Sequence, residues 1–278
     1  MTFKRLTQWL GSAVLAMAAG SALAAEKPIV FAVAAEPYPP FTVKGGNGQW
    51  SGFEVELIHK LCGLMQAQCE IKEVAWDGII PSLLARKIDV IFSSMSVTEE
   101  REKQIAFSRA YYDSLLGIAG PRGTRVEVSP EGLKGKVIGV QISTVSANYL
   151  KKYYEKVADL KYYDTQESAN ADLIAGRTDL MMADGIAIAM MVKTPEAQGL
   201  EQIAEVPYDP IIGRGVGAGL RKEDTELKAR LDKAIGELLV SKDYADLSQS
   251  TFGVSVSPCK RADVPPYESK VCDSPYSQ

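Results

Sequence analysis

Two well-separated stretches, LLARKIDVIFSS at 83–94 and ANADLIAGRTDLMMAD at 169–184, share one layout. Each passes from a helix-compatible segment through a basic residue, a spacer and an aspartate (Asp89, Asp179) into a short apolar run. Each run then stops at polar groups. An apolar run of that length, bounded in that way, suits a strand buried on both faces. Strands of this kind alternating with helices confine the chain to the α/β class, with mostly parallel sheets joined by crossover helices. Two such units imply two lobes built from similar pieces.

The intervening sequence fits that frame. PIVFAVA at 28–34 reads as a strand that leads into a rigid aromatic turn, EPYPPF. In FEVELIHKLCGLMQ, at 53–66, helical spacing places Leu57, Ile58, Leu61, Leu64 and Met65 on one face and His59 on the other. EIKEVAW then reads as a strand and DGIIPSLLARK as a helix, with Asp77 as its cap and Pro81 in the first turn, where a missing amide proton costs little. LLGIAG at 115–120 and IIGRGVGAGL at 211–220 are apolar and glycine-bearing, as expected of strands that cross between lobes. The C-terminal helical stretch at 226–249 then returns to the first lobe. The expected organisation is a discontinuous lobe 1, residues 25–113 and 214–278, a lobe 2 of residues 114–213, and a binding cleft between them.

The first 24 residues have a basic start (Lys4, Arg5), an apolar centre and a small-residue Ala22-Leu23-Ala24 site, the layout of a cleaved secretory signal peptide. No later segment approaches the ~20 apolar residues of a spanning helix. With 31 basic against 35 acidic residues and no basic block, nothing points to nucleic acid. Four cysteines form two local pairs, Cys62 with Cys69 and Cys259 with Cys272. In an exported chain disulfides are favoured over metal ligation, and a single histidine, His59, gives a zinc site no support. The first bridge would tie a helix end to the next strand, and the second would staple a proline-rich tail. No cofactor and no catalytic residue is expected.

In open α/β sheets ligands sit beyond the carboxyl ends of the strands. In the first lobe that places Ser93, Ser94, Ser96 and Arg101 at a candidate site. Thr98 is a plausible helix cap, and Glu99 and Glu100 suit the positive end of the helix. Arg101 in that same turn is unfavourable by about 0.3 kcal/mol, so it either points into water or meets an anion. A guanidinium fork and serine hydroxyls suit a carboxylate. The equivalent position in the second lobe is Asp184, either a simple N-cap or an ammonium-binding pole facing Arg101. Ser143, Thr144 and the amide of Val145 lie where a polar loop enters a helix and could contact an anion. Tyr38 and Trp76 could wall a ligand side chain or pack in a core.

The stretches YPPF (38–41), GFEVEL (52–57), WDGIIPSL (76–83), KIDVIFSSMSVTEER (87–101), IAFSRAYY (105–112), GKVIGVQ (135–141) and GLRKED (219–224) resemble, in the same order, periplasmic solute-binding proteins of the polar amino acid type. These proteins serve ABC importers. The likeness is strongest for the lysine/arginine/ornithine, histidine and opine binders, and LCGLMQAQC looks like the small disulfide loop of that branch. The resemblance implies the two-lobed type II fold, joined by two hinge strands and closing on a ligand. It implies that Arg101 holds an α-carboxylate with Ser94, Ser96 and the 144–145 loop, and that Asp184 holds an α-ammonium. Ser93, Tyr38 and Trp76 would face the ligand's side chain. Two positions depart from the family pattern. Ala35 stands where basic-amino-acid binders carry a side-chain-reading aspartate, with Glu36 beside it, and Ser143-Thr144-Val145 replaces Gly-Thr-Thr.

The expected function is therefore a monomeric periplasmic binding component that captures a polar amino acid, with a lean towards basic ones, and delivers it to a membrane permease. The alternatives are a dehydratase-like enzyme acting on a cyclic carboxylate and a ligand sensor for a membrane receptor.

Overall fold

The computed structural model describes residues 27–258, so the signal-peptide segment and the Cys259–Cys272 pair lie outside the described residues. In lobe 1, β1 (Ile29–Ala34) is followed by a short hairpin of β2 (Val43–Lys44) and β3 (Trp50–Ser51) and by α1 (Phe53–Leu64). Next come β4 (Cys69–Val74), α2 (Ile79–Leu84), β5 (Val90–Ile91), α3 (Glu99–Glu102) and β6 (Ala106–Tyr112). Lobe 2 contains β7 (Leu116–Pro121), β8 (Val137–Gln141), α4 (Val145–Tyr154), β9 (Asp159–Tyr163), α5 (Gln166–Ile174), β10 (Leu180–Asp184), α6 (Gly185–Met191) and β11 (Leu200–Glu205). The chain then returns through β12 (Val216–Leu220) to α7 (Thr225–Leu239) and α8 (Lys242–Phe252).

The two repeated sequence units occupy equivalent places in two separate five-stranded sheets. The orders are β4-β1-β5-β12-β6 and, read from the other edge, β9-β8-β10-β7-β11, so β5 and β10 are both central. The shared aspartates explain the shared layout. Asp89 Oδ2 accepts the amide of Val30 at 3.1 Å, and Asp179 Oδ2 accepts the amide of Val137 at 2.8 Å. Each carboxylate thus ties the start of the central strand to the start of its parallel neighbour.

The expectation of mostly parallel sheets holds for strand direction but not for pairing. β12 is antiparallel to β5 and β6, and β7 is antiparallel to β10 and β11. These reversed strands are the ones reached directly from the other lobe. A chain arriving at the cleft, where the other strands end, must run away from it. The strands expected to cross between lobes therefore lie inside the sheets. The crossings are made by irregular residues 113–115 and 206–215.

Both sheets are covered on both faces. In lobe 1, α1, α7 and α8 cover one face around Phe31, Leu57, Leu231 and Tyr244, and α2 covers the other around Ile79, Leu83 and Ile91. α1 buries Leu57, Ile58 and Leu61 as its periodicity predicts, and Phe53 and Cys62 as well. Leu64, at the edge of that arc in the last turn, is 45% exposed. Cys62 and Cys69 are bridged, which fixes the end of α1 to the start of β4. Asp77 is not a helix cap. It sits inside a 3-10 turn, Trp76–Gly78, and α2 starts after Gly78 without a side-chain cap.

Arg221, in the GLRKED stretch, is 5% exposed and locks one end of the first sheet. It donates to the carbonyls of Leu83 (3.1 Å) and Ile88 (2.5 Å) and to Asp89 Oδ1 (2.9 Å), and it pairs with Asp224 at 2.7 Å. Removing one partner of a buried ion pair leaves charge uncompensated and costs about 3–5 kcal/mol. Arg221→Ala is thus expected to lower the unfolding free energy by that order, seen as a lower urea midpoint with an unchanged slope, measured by circular dichroism.

Candidate functional site

Strand ends from both lobes converge on one chamber. Ala34 closes β1, Ser93 follows β5, Gln141 closes β8 and Asp184 closes β10, while the reversed strands contribute their first residues, Leu116 and Val216. The space open to water centres is about 80 Å³. A single water needs about 10–15 Å³ in that measure, so the chamber suits a small solute. Glu36, Tyr38, Trp76, Ser93, Ser94, Ser96, Arg101, Thr144, Val145 and Asp184 all line it.

The residue that shapes the lobe 1 wall, Glu54, is missing from that set. It is the second residue of α1, is 1% exposed, and accepts the Ser94 amide at 2.6 Å together with the Tyr111 hydroxyl. Ser94 is thereby held in the left-handed region, φ 50°, with its own Oγ buried at the chamber wall and without a hydrogen-bond partner among the described residues. An acid at the start of a helix ordinarily reads as a solvated partner of the helix dipole. Its burial depends on Tyr111, a residue remote in sequence. Next to it, Ser93 Oγ accepts the Ala34 amide at 2.9 Å, linking β1 and β5 at the chamber floor.

The EPYPPF turn is pinned by Phe41, which is fully buried against Tyr112 and Phe252 at centroid distances of 4.8 and 5.5 Å. Tyr38 stacks on Phe41 at 5.6 Å and so projects from a rigid base. Burial, and then the nearby charge of Asp184, push the Tyr38 phenol well above its ordinary range. Tyr38 therefore stays neutral and can donate a hydrogen bond. Glu36 presents a buried Oε2 that takes no hydrogen bond among the described residues.

Thr98 caps α3, accepting the Arg101 amide at 3.2 Å. The Arg101 guanidinium donates from Nη1 to the Ser96 carbonyl at 2.9 Å and from Nη2 to the Ser143 carbonyl at 3.2 Å, and it lies 5.6 Å from the Trp76 ring centroid. Burial lowers its pKa to about 10, so it remains a cation at neutral pH. A guanidinium has five N–H donors, and those left over have the fork geometry that suits a carboxylate. The loop that carries it is braced by the second crossing, where Val97 N donates to Gly215 O and Arg214 N to Val97 O, both at 2.9 Å. Gly213 sits there at φ 96°, and a Cβ on it would lie 2.4 Å from the Val97 carbonyl oxygen.

On the lobe 2 wall, Asp184 Oδ1 accepts the amides of Ile186 (2.8 Å) and Ala187 (3.2 Å) and the Ser114 hydroxyl (3.0 Å). Asp184 is thus an N-cap and also an acid facing the chamber. Burial raises its pKa to about 6 despite those donors. The Thr144 hydroxyl is committed locally, donating to Gln141 O at 2.8 Å and accepting Ala147 N at 3.1 Å. Ser143 lies outside the chamber. Ser114, Gln141, Ser146 and Gln166 line it as well and were not expected. Ser114 belongs to the first crossing and carries no strand-end signal. Gln166 opens α5 but is oriented by contacts with Asn170 and Met181 that the local sequence does not reveal.

A cation from one lobe and an acid from the other, separated by hydroxyls and one aromatic wall, fit a small zwitterion. The family model of the bacterial extracellular solute-binding proteins, family 3, matches residues 29–254. The chain is 33% identical to the L-arginine-binding protein of Pseudomonas aeruginosa, covering 89% of this chain and 96% of that protein. It is 35% identical to the lysine/arginine/ornithine-binding periplasmic protein of Escherichia coli, covering 79% and 85% respectively. Among solved structures, an ancestral arginine-binding protein bound to arginine matches with a TM-score of 0.73 and 31% identity, over 81% of this chain and 98% of that one.

Glu54 makes a testable contribution to stability. Burial raises its pKa from 4.5 to about 7, so the folded state favours the protonated acid. That contribution is complete below about pH 4.5 and is lost as pH rises through about 7; at 1.36 kcal/mol per pH unit it is roughly 3 kcal/mol. Glu54→Gln keeps an acceptor for Ser94 and removes the titration. Between pH 5 and 8 the wild type is expected to lose about 2 kcal/mol more stability than the variant, measured by urea unfolding at each pH.

Proposed function

The chain belongs to the bacterial extracellular solute-binding proteins, family 3, and from that membership we propose that it captures an amino acid for a membrane ABC permease. The observation that carries the proposal is that Arg101 and Asp184, from opposite lobes, line one chamber. Arg101 holds the α-carboxylate, with Ser94, Ser96 and the amides at the start of α4. Asp184 holds the α-ammonium. Tyr38, Trp76, Ser93 and Glu36 read the side chain. The buried Oε2 of Glu36, without a partner among the described residues, costs about 1–3 kcal/mol if left unsatisfied, which favours a ligand that ends in a cation. The named relatives bind arginine and, in one case, lysine and ornithine as well, in keeping with that choice.

In this reading, residues 25–113 with 214–278 and residues 114–213 close about the two crossings. The protein works as a monomer in the periplasm, after removal of residues 1–24. It is a carrier rather than an enzyme, as the named relatives are binding proteins.

The test is calorimetry on refolded, ligand-free protein with L-arginine, L-lysine, L-ornithine and L-glutamine. Arg101→Ala is expected to weaken binding at least a hundredfold while leaving the fold intact; an unchanged affinity would remove the clamp. Glu36→Gln is expected to cost the basic ligands about tenfold, the order of one charge-assisted bond, and to leave glutamine unaffected.

Binding should also depend on pH. The Asp184 acid, held at about 6, must lose its proton to pair with an ammonium. Affinity is expected to be flat above about pH 7 and to fall towards tenfold per pH unit well below 6. Titrations from pH 4.5 to 8 check this, and Asp184→Asn should abolish the slope.

A further inference from the structure

The Ser143 carbonyl is the meeting point of the two lobes at the chamber's outer edge. Ser143 lies in the turn between β8 and α4, exposed and in the left-handed region at φ 59°. A non-glycine residue held there is strained, and the strain persists where the surroundings impose it. In this conformation its carbonyl oxygen accepts two hydrogen bonds from lobe 1, Trp76 Nε1–H at 3.2 Å and Arg101 Nη2–H at 3.2 Å. Trp76 and Arg101 also lie against each other, so the indole supports the guanidinium while both hold the same oxygen.

This contact stands between two spaces. On one side is the chamber, lined by Trp76, Arg101 and Val145. On the other is an open groove lined by Arg101, Ser143 and Val145 together with Asp77, Asn148 and Lys152. Arg101 and Val145 belong to both spaces, so the Trp76–Ser143–Arg101 contact forms the wall between the chamber and the groove.

We propose that Trp76 is a latch residue: its indole N–H, acting with Arg101 on the Ser143 carbonyl, holds the lobes together across the chamber mouth and slows ligand release. The proposal rests on the ligand-chamber reading above and gives Trp76 a role beyond that of an apolar wall. Since Arg101 serves both the latch and the ligand carboxylate, a bound ligand fixes the guanidinium that completes the latch. Closure and capture are thereby coupled through one side chain.

The experiment separates the N–H from the ring. Trp76→Phe keeps an aromatic wall and removes only the donor; Trp76→Ala removes both. Stopped-flow kinetics with L-arginine as probe is expected to show an off-rate about fivefold higher in Trp76→Phe, the order of one hydrogen bond, with an on-rate within twofold of wild type. Small-angle X-ray scattering of the ligand-free protein is expected to give a larger radius of gyration for that variant. An unchanged off-rate together with an unchanged radius overturns the latch, as does an effect confined to the on-rate or seen only in Trp76→Ala. If the wild type binds none of the tested amino acids but the radius still rises in Trp76→Phe, the latch stands and the ligand reading fails.

Discussion

The structure depends on one constraint: the co-directed strands of both sheets end at the same cleft. A chain that builds two such lobes must pass from one to the other at that cleft. Each lobe therefore receives one strand that starts where its neighbours stop. β7 and β12 take this reversed direction, and their first residues, Leu116 and Val216, become part of the chamber wall. The connections and the binding site are thus built from the same short stretches. A change in lobe spacing is necessarily a change in chamber shape.

The chamber wall concentrates local costs that the rest of the fold supports. Ser94 and Ser143 both adopt left-handed backbone, and they lie on opposite lobes. Each is held by groups that come from elsewhere in the chain. Ser94 is fixed by the buried acid of Glu54, and the Ser143 carbonyl receives Trp76 and Arg101. Buried polar groups are favourable only when their partners are in place. The first arrangement is internal to one lobe and lasts as long as that lobe is folded. The second spans both lobes and exists only while they are together.

Much of this was legible in sequence, for a physical reason. Fully buried strands leave unbroken apolar runs, and polar residues placed directly after such runs fall at the carboxyl ends of the sheet. That logic alone locates Ser93, Arg101 and Asp184 and offers Arg101 and Asp184 as opposite poles of a cleft, and the resemblance to a family assigned each pole a ligand group. Residues whose surroundings are assembled by distant segments were not legible. Glu54 looks like an ordinary first-turn acid until Tyr111 covers it. Ser114 belongs to a crossing with no regular structure. Asp77 looked like a cap but lies within a 3-10 turn, because the helix begins two residues beyond it, at Ile79.

Gly213 has no side chain, and there is no room for a methyl group on it beside the Val97 carbonyl. Its neighbours Arg214 and Gly215 are bonded to the loop that carries Arg101. Any larger residue would have to push that loop and the second crossing apart, altering the resting distance between lobes and the position of the cation in a single move. Natural variants that tune side-chain preference can accumulate around the chamber, whereas at this position drift meets an obstacle that no compensating change in ligand contacts can remove. Selection for transport would then appear in the genetic record as intolerance at a residue with no chemistry of its own.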